Sequence, residues 1–311
     1  MIRHRTTNLP ATGDGSPGTD RLLIAVDVDG TLLNTEFEDS LRQREVEAIA
    51  AVRRVGHVVA LCTGRNSRSV NGLLARSGDG LDELPLILLN GAVVVGGSPR
   101  RRLCHAVMQR DTVRRIVEIF RGHDTMAMVY DTEDRGGILY HEDREANSVL
   151  SRYLSRRKRT VGAIVCVADL VNNLPESALE VGTIDLQKKI VALTAQIRRE
   201  MANEVNVINT ETLLSRDRYN WAEVYHHDCS KGRGAILLAR EFGIPQENII
   251  ALGDNYNDLD LFAVAAFSVA MGNAPADVQA MADSIAPPVS DFGAAVVLEQ
   301  IAAGKLPDPK Q

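Results

Sequence analysis

Leu22-Leu23-Ile24-Ala25-Val26-Asp27-Val28-Asp29-Gly30-Thr31-Leu32-Leu33 is the stretch that decides the fold. Five apolar residues run into two acids one residue apart, and a glycine follows. A short continuous apolar run closed by a turn signal reads as a buried strand. Burial on both faces fits a parallel sheet covered by helices. The acids then stand at the carboxyl end of a core strand, where open α/β sheets bind ligands. Two carboxylates buried there cost several kcal/mol unless compensated, and a metal ion is the usual compensation.

Asp27 and Asp29 would share one side only if the strand continued, and Gly30 breaks it. The two carboxylates therefore splay around one small volume, one able to take a metal and attack, the other to handle a proton. A calcium loop fails on spacing, because its glycine stands sixth from the first acid and Gly30 is fourth. Downstream, Asp39 to Arg54 reads as an amphipathic helix with Leu41, Val46, Ile49 and Val52 on one face and Gly56 as its stop. His57 to Leu61 reads as a second strand, so the unit is βαβ, with parallel pairing and a right-handed crossover. Thr63, with the backbone of Gly64, lies at that strand's carboxyl end, where a hydroxyl and turn amides suit a phosphate, or where threonine simply caps a helix. Arg65 is a further phosphate or structural contact.

A third strand, Leu86 to Leu89, ends in the turn signal Asn90-Gly91. Far along the chain, Asp228-Cys229-Ser230-Lys231-Gly232-Arg233-Gly234 opens a helix with Ser230 or Asp228 as cap. A lysine in the first helical turn opposes the helix dipole, so Lys231 makes sense if it faces an anion. Asn248 to Leu252 reads as another strand, ending in Gly253-Asp254-Asn255-Tyr256-Asn257-Asp258. Asp254 occupies the mouth of the sheet, and Asp258 reaches the same region from the next turn. Two acid clusters at two strand ends point to a site for a hard cation with oxygen ligands.

Asp27-Val28-Asp29-Gly30-Thr31-Leu32 resembles motif I of the haloacid dehalogenase-like superfamily of phosphotransferases. Thr63 matches motif II, Lys231 motif III, and Gly-Asp-x-x-Asn-Asp over 253–258 motif IV in the form of the Cof-type, subclass IIB phosphatases. The Asn90-Gly91 segment and Ala266 to Ala274, with its Asn-Ala turn, are similar to further parts of that group. The resemblance covers roughly residues 20–304, with all four motifs in order. It implies an α/β fold: a Rossmann-like parallel-sheet core over 21–103 and 227–305, with an inserted α+β cap of the C2B type over 104–226.

The insert supports that division. A helix is expected over Asp111 to Phe120, a second over Leu186 to Met201, and strands over 126–130, 137–140, 163–167 and 205–209. These signals do not alternate as βαβ units do, which suits α+β. The basic run Arg152 to Arg159 reads as a solvated helix end or loop. His226-His227 read as linker residues, because neighbours on a strand face opposite ways. Residues 1–20 are polar and read as a disordered tail, and Leu306 to Gln311 as unstructured.

The formal charge of −6 over 311 residues and the low aromatic content give no nucleic-acid footprint. No stretch approaches the roughly 18–20 apolar residues of a membrane span, which excludes a P-type pump. Cys62, Cys104, Cys166 and Cys229 are scattered without a Cys-x-x-Cys pair, so free thiols in a cytoplasmic protein are expected.

The resemblance implies a phosphoric monoester hydrolase that forms an aspartyl-phosphate on Asp27. Mg²⁺ would be held by Asp27, the backbone carbonyl of Asp29 and Asp254. Asp29 would act as acid and base, Thr63 and Lys231 would hold phosphoryl oxygens, and Asp258 would orient Lys231 or the metal waters. Gly64, Arg65, Asn90 and Asn257 would touch substrate. The expected partner is a small phosphorylated metabolite, a sugar phosphate first. A cofactor precursor or nucleotide such as pyridoxal or flavin phosphate is the alternative, and a non-catalytic phosphometabolite sensor a third reading.

Overall fold

The computed structural model describes residues 21–35, 37–97, 99–131, 137–211 and 219–310, and the polar tail expected over 1–20 lies outside them. The chain forms two compact units. One holds the described residues up to Gly64, then Asn71–Leu103 and Ser230 onward; the other holds Arg65–Val70 and Cys104–Cys229.

The first sheet and its helices comprise β1 (Leu23–Asp27), α1 (Gln43–Arg54), β2 (Val58–Cys62), α2 (Ser67–Ser77), β3 (Leu86–Leu88), β4 (Val93–Gly96) and β5 (Arg101–His105). They continue with α6 (Lys231–Glu241), β12 (Ile249–Gly253), α7 (Leu259–Val264), β13 (Phe267–Ala270), α8 (Ala276–Met281), β14 (Ser284–Ile285) and α9 (Gly293–Ala302). The eight strands lie in the order β14-β13-β12-β1-β2-β3-β4-β5. Pairing is parallel from β14 through β3 and antiparallel between β3 and β4. Every residue of β1, β2 and β12 is buried, the double-sided burial that their unbroken apolar runs require. Asp27 pairs with Cys62 and Val26 with Leu252, so the carboxyl ends of β2, β1 and β12 finish side by side.

Helix α1 starts at Gln43, later than its periodicity suggests, and its buried face is Glu45, Ala48, Ile49 and Val52, with Val46 only half-buried. The apolar pattern could not reveal Glu45, which Arg42 makes tolerable by donating to its carboxylate at 2.5 Å. Residues 306–310 have no helix or strand yet are tied down, Ser284 Oγ donating to the Asp308 carbonyl at 2.6 Å and Lys310 N to the Asp283 carbonyl at 3.0 Å, and Gln311 lies outside the described residues.

The second unit holds α3 (Arg110–Gly122), β6 (Met128–Tyr130), β7 (Ile138–Glu142), α4 (Ser148–Arg157), β8 (Ala163–Val167), β9 (Glu180–Leu186), α5 (Gln187–Glu200), β10 (Val205–Glu211) and β11 (Tyr219–His226). Its six strands run β10-β11-β9-β6-β7-β8, antiparallel except β7 with β8. Val113, Ile116, Val117 and Phe120 of α3 and Ile190, Leu193 and Ile197 of α5 pack with Val129, Val181, Ala222 and Val224 of the sheet. Each large apolar side chain so buried contributes about 1.5–3 kcal/mol. Strands β9 and β11 escaped the sequence reading because buried Glu180, Thr183, Asp185 and Asn220 break their apolar pattern.

The residues that alternate with this core, Glu180 on β9 and Trp221, Glu223 and Tyr225 on β11, occupy the other face. Tyr225 Oη donates to Glu223 Oε1 at 3.1 Å, and Tyr153 of α4 meets Trp221 edge-on at 4.6 Å. The basic run is the end of α4, mostly exposed, but Arg157 turns inward to the Tyr153 hydroxyl. Burial, then the nearby Glu223, pushes the Glu180 carboxyl up to about 8 against the pull of Arg157. His226 closes β11 and His227 lies beyond it, so strand alternation does not separate them: their rings stand 4.3 Å apart. Among the described residues, no helix is long and apolar enough to cross a membrane.

Candidate active site

Strand β1 ends at Asp27, and Gly30, at φ +88°, turns the chain away. A side chain at Gly30 would be strained, and its Cβ would sit 2.1 Å from Asp254 Oδ2, so the glycine lets the two acidic loops close on each other. Gly253 at the end of β12 lets its own loop fold back, since a Cβ there would lie 2.4 Å from Asp258 Cγ.

Lys231, 1% exposed, donates through Nζ to Asp27 Oδ1 and Asp258 Oδ1, each at 2.6 Å. Ser230 caps α6 by accepting from Arg233 N at 3.1 Å, and Asp260 Oδ2 accepts from Gly232 N at 2.9 Å, which fixes the helical turn that aims Lys231. Asp258 uses its other oxygen to accept from Asp254 N and Asn255 N, both at 3.0 Å. Asp27, Asp254 and Asp258 offer oxygens that all lie within 4.8 Å of one another.

The electrostatics follow from that crowding. Burial pushes Asp27 up to about 7 against the pull of Lys231. Burial, then the charges of Asp27 and Asp258, pushes Asp254 up to about 9. Burial opposes the Lys231 charge, but Asp258 and Asp27 outweigh it and hold the ammonium well above its usual range. The residues fit a divalent cation. Asp27 Oδ2 is buried with no hydrogen-bond partner among the described residues, and carboxylate oxygens are the donors a hard cation prefers. Asp258 spends both oxygens on Lys231 and two amides, so Asp27 and Asp254 are the carboxylates left for an ion.

Asp29 stands beside this cluster, its oxygens accepting from Thr35 Oγ1 at 2.8 Å and Thr63 Oγ1 at 3.4 Å. Thr63 is fully buried, and its amide donates to the Ile87 carbonyl at 2.8 Å. Leu89 and Asn90 both have φ near +50° (48° and 50°), a strained pair in which Asn90 N donates to the Thr63 carbonyl at 3.1 Å. Asn90 Oδ1 accepts from Asn257 Nδ2 at 3.2 Å, and Gly64 lies against the Asn90 side-chain amide. Asp27, Asp29, Thr63, Gly64, Asn90, Lys231, Asp254, Asn257 and Asp258 thus belong to the first unit, while Arg65 groups with the second.

Sequence reasoning did not single out Thr35, Asp260 or a role for Asn273. Asn273 donates to the Gly30 carbonyl at 2.9 Å and to Asp254 Oδ2 at 3.3 Å, and accepts from Val289 N at 2.8 Å. Its place just past the carboxyl end of β13, on the same rim, was the available signal.

The family model of the haloacid dehalogenase-like hydrolases matches residues 24–298. The chain belongs to that family. Haloacid dehalogenase-like phosphatases generally use a divalent metal, in keeping with the donor set around Asp27 and Asp254. The hydrolase is 26% identical over 302 residues to the 5-amino-6-(5-phospho-D-ribitylamino)uracil phosphatase YwtE of Bacillus subtilis, covering 91% of this chain and 98% of that one. It is 27% identical over 295 residues to the phosphatase YwpJ of the same organism, covering 90% and 99%. Its fold matches that of the subclass IIB sugar phosphatase BT4131 with a TM-score of 0.71 at 18% identity, covering 90% and 98%.

Proposed function

We propose that this hydrolase is a Mg²⁺-dependent phosphatase of a small phosphomonoester, working through an aspartyl-phosphate on Asp27. The observation that carries the reading is Lys231 Nζ held between Asp27 and Asp258 at 2.6 Å, with Asp27 Oδ2 left without a partner among the described residues and an Asp254 oxygen within 4.8 Å of those of Asp27 and Asp258. Lys231 holds Asp27 Oδ1 and so fixes the carboxylate plane, leaving Oδ2 its free lone pair. Asp27 attacks phosphorus, the ester bond breaks, and Asp29 delivers a proton to the leaving alkoxide. Asp29 then takes a proton from water as that water attacks the acyl phosphate, releasing phosphate and restoring Asp27. The hydroxyls of Thr35 and Thr63 aim the Asp29 carboxylate for both transfers. Thr63, the Gly64 backbone and the Lys231 ammonium stabilise charge on the peripheral oxygens. Arg65, Asn90 and Asn257 are assigned to substrate contact. Mg²⁺ held by Asp27, the Asp29 carbonyl and Asp254 would screen the repulsion between carboxylate and phosphate.

A sugar phosphate is the first substrate class. The ribityl phosphate in the name of YwtE favours a phosphorylated cofactor precursor as the second. A panel of both classes, assayed for phosphate release with Mg²⁺, separates them. Asp27→Asn should abolish release from every compound with the fold intact, and substantial residual turnover would overturn the nucleophile.

A further inference from the structure

The turn that closes β11 brings together side chains that the carboxylate site does not use. His226, His227 and Asp228 each present one ligand atom, and these atoms all lie within 4.8 Å of one another. The Asp228 carboxylate reaches towards both rings, Oδ1 at 3.4 Å from His227 Nε2 and Oδ2 at 3.9 Å from His226 Nδ1. The rings are 4.3 Å apart and tilted by 38°.

Backbone contacts hold the turn before any ligand arrives. His227 N donates to the Glu204 carbonyl at 3.2 Å, Cys229 N to the His226 carbonyl at 2.8 Å, and Asn206 Nδ2 to the Cys229 carbonyl at 2.7 Å. Asp228 N donates to His226 Nδ1 at 3.2 Å, so that nitrogen carries a lone pair and no proton, the form that binds a metal. The site is open to solvent: His227 is exposed, and His226 and Asp228 are half-buried.

We propose that His226, His227 and Asp228 form a second metal site, of a different donor class from the carboxylate site, suited to a borderline-soft divalent ion such as Zn²⁺. Two imidazoles and one carboxylate are a common zinc donor set, with a water completing four-coordination. Metal–ligand bonds of about 2.0–2.2 Å hold tetrahedral donors roughly 3.3–3.5 Å apart. The His227–Asp228 pair already meets that spacing. His226 Nδ1 closes the remainder by exchanging the Asp228 amide for the ion, one neutral hydrogen bond given up for a metal–nitrogen bond. Mg²⁺ prefers oxygen ligands and keeps its waters, so it does not compete here.

The test is calorimetric titration of the full chain with Zn²⁺ in excess Mg²⁺, which keeps the carboxylate site filled. One equivalent should bind. Its affinity should fall at least about tenfold in His226→Gln and in His227→Gln. Cys166→Ser, at an exposed thiol, should leave it unchanged. Circular dichroism checks both histidine variants, and the exposed His227 tolerates glutamine without loss of fold. Absence of Zn²⁺ binding, or binding indifferent to both substitutions, overturns the site without touching the phosphatase reading, which rests on other residues.

Discussion

Replacing Lys231 by methionine tests whether its ammonium or its bulk matters. Methionine nearly matches its length and volume, so the cavity is small, but Asp27 and Asp258 lose the cation that each meets at 2.6 Å. Both carboxylates are buried, at 4% and 0% exposure. Removing one partner of a buried ion pair costs about 3–5 kcal/mol, because the remaining charge is left without compensation. The deficit should also depend on pH. In the parent, Asp27 is raised to about 7, so above that pH it is ionised and paired. Without Lys231 its folded value rises further, while the unfolded value stays near 3.8. The folded variant then carries one more proton than its unfolded state above pH 7, and its stability falls relative to the parent by up to about 1.4 kcal/mol per pH unit. Urea unfolding of both proteins in EDTA at about pH 6 and pH 8 measures this. A deficit under about 1 kcal/mol, or one equal at the two pH values, would mean that the lysine acts by filling space, and the charge argument would fail.

Gly30→Ala should drive its Cβ into Asp254 Oδ2, only 2.1 Å from the ideal position, and strain a backbone at φ +88°; we expect about 1–3 kcal/mol of lost stability and weaker Mg²⁺ binding by calorimetry, and unchanged binding would refute the close approach. Chelation by EDTA should silence phosphate release, with Mg²⁺ restoring it, and Asp254→Asn should raise the Mg²⁺ needed; activity indifferent to chelator removes the ion from the mechanism. Glu180→Gln should stabilise the protein at pH 8 but not at pH 5. The folded Glu180 is raised to about 8 from 4.5, so the parent loses stability as pH rises through that window and the amide does not. Unfolding midpoints that shift equally at both pH values would contradict it.

The core was legible because a sheet covered on both faces leaves unbroken apolar runs, and β1, β2 and β12 stand where those runs do. The acids and the lysine were legible because polar residues at the ends of such strands have few structural reasons to be there. Their partners were not. Lys231 meets Asp27 across 204 positions of sequence, and no periodicity encodes that contact. Thr35 and Asp260 act through single hydrogen bonds from ordinary loop and helix positions. The second unit was harder for a physical reason. Its sheet buries polar groups such as Glu180, Thr183 and Asp185, so alternation between oil and water, the signal a half-exposed strand gives, is absent. That the rings of His226 and His227 meet was missed because the rule that separates strand neighbours stops at the strand's last residue.

The charge arrangement ties the site's separate features to one cause. Asp27, Asp254 and Asp258 face a single ammonium, so with all four ionised the cluster carries two uncompensated negative charges at a largely buried site. Protons are the only other way to relieve that, which is why Asp27 and Asp254 are both pushed far above the usual carboxylate range. A divalent cation would supply the missing charge, and Asp27, whose Oδ2 has no hydrogen-bond partner among the described residues, and Asp254 would hold it. A phosphoryl group would bring negative charge of its own, which a cation held by Asp27 and Asp254 would offset. The same imbalance that raises the two carboxyl groups would be eased by a bound cation, whose charge would favour the ionised form of both Asp27 and Asp254.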